Sequence, residues 1–108
     1  MLRATLVLAF LSGLVPTTAA YADDPAPARQ RELLYRLEQD CGSCHGLTLK
    51  GGLGPPLLPS ALAGKPNEAL VDAILQGRPG TPMPPWEFEL SEEEAEWLVR
   101  RLKQGVIQ

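Results

Sequence analysis

Two cysteines three positions apart, followed at once by a histidine, make Cys41-Gly42-Ser43-Cys44-His45 the run with the most chemistry in this chain. Thiols at that spacing can each add across one vinyl group of a porphyrin, and the next residue is then carried beneath the iron with an imidazole nitrogen to offer. Composition narrows the candidates. The 108 residues hold no other cysteine and no other histidine, and Met83 is the only methionine besides Met1. A haem held here would have Cys41 and Cys44 as its covalent thioethers and His45 as its proximal iron ligand. Met83 is the plain candidate for the distal iron ligand.

Other uses of the five residues fit less well. A disulfide-exchange pair calls for a thioredoxin-like alternation of strands and helices, which the pattern lacks. A structural zinc site needs four nitrogen or sulfur ligands, and only three residues of the kind exist, all within five positions. A chance match in a chain of this size is on the order of one in a thousand.

Two stiff loops flank the candidate site. Leu49 to Pro59 carries three glycines and three prolines in eleven residues, which rules out regular helix. Such a loop after a proximal histidine has a use beyond connection: a rigidly held carbonyl can accept the Nδ1 proton, fixing the ring and making the other nitrogen a better donor. The second loop, Arg78 to Pro85, sets Met83 between prolines. Methionine usually fills cores because it is flexible, so a rigid setting suits a sulfur held towards iron better than simple packing.

Three main helices must position these loops. Leu33, Leu34 and Leu37 mark an amphipathic helix over Arg29 to Asp40, running straight into Cys41. A second covers Pro66 or Asn67 to Gln76, with Leu70, Val71, Ile74 and Leu75 on one face and Gly77 to end it. The third begins at a capping box, Ser91 with Glu94, and buries Ala95, Leu98, Val99 and Leu102. Trp86 and Trp97 could each cover a haem or pack between helices.

The N-terminus reads as an export signal. Met1-Leu2-Arg3 is followed by an apolar run from Ala4 to Val15, then Ala20-Tyr21-Ala22 as a cleavage site. About a dozen apolar residues fall short of the roughly 20 that span a bilayer; the alternative is an uncleaved anchor. The expected organisation is a signal peptide over residues 1–22, a flexible leader over 23–28 and one domain over 29–108. Cleavage would leave 86 residues, 23–108, with nine basic and 13 acidic side chains, a net charge of −4. That balance argues against nucleic acid and anionic lipid, and would steer the chain towards a basic docking patch. So short a domain has a thin core, and a covalent haem would act as its staple.

In order the elements are helix, Cys-x-x-Cys-His, Gly/Pro loop, helix, Met loop and capped helix. This order resembles the class I cytochromes c over essentially the whole exported chain, and implies their all-α fold around one covalently attached haem c. Within the resemblance, Gly54-Pro55 matches the place where the family's proline carbonyl bonds the proximal histidine, so Pro55 is the expected acceptor for His45. Met83-Pro84 matches the distal ligand and its proline. More narrowly, the run from Cys41 to Leu57 and the run from Gly77 to Trp86 are similar to the NirC-type cytochromes of denitrification gene clusters. One departure is visible: where many members have a glycine and an aromatic in the helix before the haem motif, this chain has Leu33 and Leu37, with Tyr35 off that register.

The resemblance implies a periplasmic, monomeric one-electron carrier, not an enzyme, with redox proteins as partners. Chief among these is the haem-d nitrite reductase; no nucleic acid and no stable membrane association after cleavage are expected. Neutral Met/His ligation raises the potential and leaves iron no open position. Two other readings stand beside it. One is a haem protein with a labile Met83 that binds a gas or acts as a weak peroxidase, which carbon monoxide added to the reduced protein would reveal. The other is an accessory factor in maturation of the reductase.

Overall fold

Proline at the start of a helix costs no hydrogen bond, because the first N–H groups of any helix lack a partner within it. Pro27 uses that position in the computed structural model, which describes Gly13, Leu14 and residues 24–106. The expected signal peptide, apart from those two residues, and its cleavage point lie outside the described residues. No helix among the described residues is long and apolar enough to cross a membrane.

The first helix, α1, spans Pro27–Arg36. It starts two residues before the Arg29 expected from the periodicity, so Pro27 and Ala28 are helical and not part of a flexible leader. Asp24 just ahead is also tied down, accepting from Arg100 at 2.7 Å. The far end differs more. The helix continues through a π-helical turn, Leu37–Cys41, into α2, Gly42–His45, so the whole Cys-x-x-Cys-His run is helical. The wider turn keeps Leu33, Leu37 and Cys41 against the same core while Glu38 and Asp40 stay exposed.

The segment from Gly46 to Leu58 is loop, as its glycines and prolines require, but its end holds a single helical turn that the sequence did not suggest, α3, Pro59–Leu62. Proline again begins the turn, and Leu62 is sealed into the core. Helix α4 spans Asn67–Gln76, with Pro66 before it and Gly77 after, at φ +69°. Helix α5 spans Glu92–Gln104, and both halves of the capping box form: Glu94 N–H donates to Ser91 Oγ and Ser91 N–H to Glu94 Oε1, each at 3.1 Å. No strand occurs among the described residues. The all-α expectation holds.

Packing centres on α5, whose buried face carries Ala95, Trp97, Leu98, Val99 and Leu102. Val71 of α4 packs on Ala95 and Val99, whereas Leu33 and Leu37 join Trp97, Leu98 and Leu102 in the larger cluster. Leu33 is 0% exposed, and full burial of one such side chain stabilises by about 2 kcal/mol. Tyr35, 65% exposed, takes no part in the crossing, so the leucines fill the place that the resemblance would give to a glycine and an aromatic. Charges close the rim: Arg29 bonds Glu94 and pairs with Glu32 at 2.8 Å, and Arg36 bonds Glu89 at 2.5 Å.

Candidate functional site

Helix α2 ends at Gly46, whose φ of +89° turns the chain sharply and starts the loop back towards the histidine. The loop then bonds to the end of the helix it has just left. Gly51 N–H donates to the His45 carbonyl and Gly54 N–H to the Cys44 carbonyl, both at 2.8 Å, and Leu57 N–H donates to Leu49 at 2.9 Å. Buried Leu49 sits in the left-handed region at φ +58° and pins the loop to the core.

That bracing brings the Pro55 carbonyl to 2.7 Å from His45 Nδ1. The contact makes Nδ1 the protonated nitrogen and leaves Nε2 as the free donor. Gly54 lies close against the same ring. A Cβ there would fall 2.7 Å from His45 Cε1 and 2.8 Å from Nδ1, closer than any side chain allows. The role of Gly54 as the floor under the imidazole is invisible in spacing alone, because it depends on a contact across nine residues.

The second loop reaches the cavity from the other side of the chain. Arg78 N–H donates to the Met83 carbonyl at 3.2 Å, closing a ring in which Thr81 bonds the Arg78 carbonyl through both its N–H and its hydroxyl. Beyond the ring, Trp86 and Glu87 N–H groups donate to Ile74 and Leu75 of α4, so the loop hangs from that helix. Gly77 makes the ring possible: a Cβ there would lie 2.7 Å from the Met83 carbonyl oxygen.

Cys41, Cys44, His45, Pro55 and Met83 all line one cavity of about 550 Å³, within the roughly 300–1000 Å³ common for cofactor sites. Leu37, Leu57, Leu70, Ile74, Trp86 and Leu98 supply apolar walls. Of the two tryptophans, Trp86 lines the cavity, whereas Trp97 packs into the core with the Arg101 guanidinium 5.8 Å above its ring. Burial, helped by the Asp40 carboxylate, pushes the Cys41 thiol up to about 11, so it is a poor thiolate at neutral pH.

The residues fit a haem by their donor set. Two thiols face a large apolar space, an imidazole nitrogen is freed by a bond to its partner, and a thioether comes from a separate loop. A flat apolar macrocycle with one metal at its centre would use all four. Leu53 lies at the mouth and is 75% exposed, with Leu47 nearby in sequence at 64%.

Residues 26–100 match the family described as Cytochrome C oxidase, cbb3-type, subunit III. A cytochrome c55X of Pseudomonas aeruginosa is 60% identical over 85 residues, which is 79% of this chain and 71% of the relative. A solved structure of a c-type cytochrome NirC superposes with a TM-score of 0.74 at 60% identity, covering 75% of this chain and 95% of the other. The dihydro-haem d1 dehydrogenase of Pseudomonas aeruginosa is 45% identical over 75 residues, 68% of this chain but only 15% of that protein.

Proposed function

The chain belongs to the cytochrome c family as a NirC-type cytochrome with covalently bound haem c, and from that membership we propose that it is a periplasmic electron donor to haem-d nitrite reductase. The observation that carries the reading is the convergence of Cys41, Cys44, His45 and Met83 on one apolar cavity, with His45 Nδ1 tied to Pro55.

Bound there, haem supplies an iron centre that gains and loses one electron. The chain's own residues set the terms. Cys41 and Cys44 would hold the cofactor covalently, and His45 would offer Nε2 to the iron because its Nδ1 is occupied by the Pro55 carbonyl. Met83 would offer the iron a neutral thioether, which would favour the ferrous state. The apolar walls exclude water and act in the same direction. With His45 and Met83 both offered to it, the iron would be left to electron transfer, with no place for a substrate.

Exposed Leu53 on the first loop, which lines the cavity, suits a modest, transient docking patch, to which the second loop would contribute around Met83. Export with cleavage after Ala22 would leave residues 23–108 in the periplasm as a monomer; N-terminal sequencing of the mature protein checks the cleavage point. Stopped-flow mixing of the reduced cytochrome with haem-d nitrite reductase tests the assignment. The reductase should take up electrons, at a rate that falls with salt and levels off above zero. No transfer at any ionic strength overturns it.

A second reading has an observation of its own. The chain matches a 75-residue segment of a dihydro-haem d1 dehydrogenase, an enzyme that carries its own copy of this kind of domain. On that reading the separate cytochrome serves maturation of the reductase. A deletion strain whose reductase has its normal content of haem d removes it.

A further inference from the structure

Two cations at the lip of the cavity stand outside the ion pairs formed among the described residues. The charged residues lining it are Arg36, Asp40, Lys65 and Arg78. Arg36 is committed to Glu32 and Glu89. Among the described residues, neither Lys65 nor Arg78 forms an ion pair with any carboxylate.

Both cations also line a second, shallower hollow of about 600 Å³, together with Leu70, Ala73, Thr81 and the exposed carboxylate Asp72. Lys65, Leu70, Ala73, Arg78 and Thr81 belong to both spaces, so the cations stand at the boundary between the apolar interior and the surface. They flank α4, Lys65 just before it and Arg78 just after, so both border the same cavity from the two ends of one helix. Their backbones are fixed. Lys65 N–H donates to Leu62, its carbonyl accepts from Lys103 Nζ at 2.5 Å, and Arg78 N–H is held by Met83.

A cofactor seated in the cavity by Cys41 and Cys44 is tethered through its vinyl groups, and haem bears its two carboxylates on the edge away from them. The cysteines lie on the helix before the first loop, whereas the cations lie at the two ends of α4. We propose that Lys65 and Arg78 receive the two haem carboxylates at this lip, an assignment that rests on the cavity being the haem's seat. The pair does more than anchor. It holds the carboxylates ionised to lower pH, and its positive charge beside the macrocycle disfavours the ferric form. As pH rises through the carboxylate pKa values, the potential should bend downward, because ionised carboxylates stabilise ferric haem.

The test is the reduction potential of the holoprotein against pH for Lys65→Gln, Arg78→Gln, their double variant and Arg31→Gln, an exposed cation away from the cavity. Each lip substitution should lower the potential and move the bend upward by roughly one pH unit or more, the usual effect of losing an adjacent opposite charge. Arg31→Gln should leave the curve in place, and Lys65→Arg and Arg78→Lys should restore it. A double-variant curve that superimposes on the wild type overturns the assignment. The visible spectra of the same samples read the seat separately: a wild-type protein without the bands of covalently held Met/His haem overturns the seat, and the assignment with it.

Discussion

The two loops that serve the cavity are stiffened in different ways, and the difference falls on the side chains they present. The first, from Gly46 to Leu58, folds back onto the helix that carries His45 and grips the imidazole itself, with Pro55 on one nitrogen and Gly54 packed against the ring. The second, from Gly77 to Trp86, is closed by Arg78 and Thr81, stiffened by four prolines and hung from α4, yet these bonds hold only the backbone of Met83. One side is oriented to the atom; the other is delivered and left to turn. A one-electron carrier with these two sides should exchange its distal ligand under stress long before its proximal one.

The harshest way to break this comparison is to remove the tether that both sides share. Cys41→Ala with Cys44→Ala should leave the haem extractable by acidified solvent and the chain without much of its helical circular dichroism, because a domain this small lacks the core to compensate. An apo protein that unfolds cooperatively with its helix content intact would show that α4 and α5 stand without the staple.

Next in size, Met83→Ala removes the delivered side chain and nothing else. The sulfur-to-iron charge-transfer band of the ferric protein should vanish, and the potential should fall by on the order of 100 mV, given how strongly axial ligands set it. A surviving band would mean that Met83 is not the distal ligand.

Two glycine substitutions sharpen the contrast at lower cost. Gly77→Ala forces a Cβ at φ +69° against the Met83 carbonyl, and should destabilise by about 1–3 kcal/mol. It should also weaken the charge-transfer band while leaving proximal ligation alone. Gly54→Ala pushes on the imidazole instead, at a comparable cost for overpacking. It should shift the potential and the ferrous spectrum with the Met83 band retained. If both variants lose the band equally, the loops are one unit and the contrast fails.

Legibility in the sequence followed the range of the interaction. Short-range signals read well: five consecutive residues gave the attachment site, proline on both sides marked Met83, and the Ser91–Glu94 capping box fixed the start of α5. The helix was legible as far as Asp40, but its π geometry over the last turn and its continuation through His45 were not, because α and π geometry share one hydrophobic periodicity over a single turn. Nor was α3, whose four residues sit among prolines and owe their form to the burial of Leu62. Gly54 under the imidazole, and Lys65 and Arg78 on one lip, are contacts between elements that no local pattern encodes.

The smallest expected effect lies in the frame that carries both loops. Glu94 accepts from the Ser91 N–H through one oxygen and from Arg29 through the other, joining the cap of α5 to the start of α1. Its carboxyl is held below the ordinary carboxylate range, first by the Arg29 hydrogen bond and then by Ser91, against the opposing pull of burial. A depressed folded-state value means stability that is present above the unfolded value, about 4.3 for glutamate, and lost as pH falls through the folded one. Glu94→Gln keeps the capping geometry, since glutamine also serves at that position, but removes the charge. The variant should therefore be less stable than the wild type at neutral pH, by about 1 kcal/mol, the scale of a partly exposed pair with a charged hydrogen bond. The gap should close in acid once the wild-type carboxyl is protonated. Because Arg29 and Glu94 lie on the helix crossing and outside the cavity lining, the potential and the charge-transfer band should be identical in the two proteins at every pH where both are folded. A potential that moves with Glu94→Gln would mean that the crossing is coupled to the iron, and that the two loops are not the only parts of the chain that set its ligands.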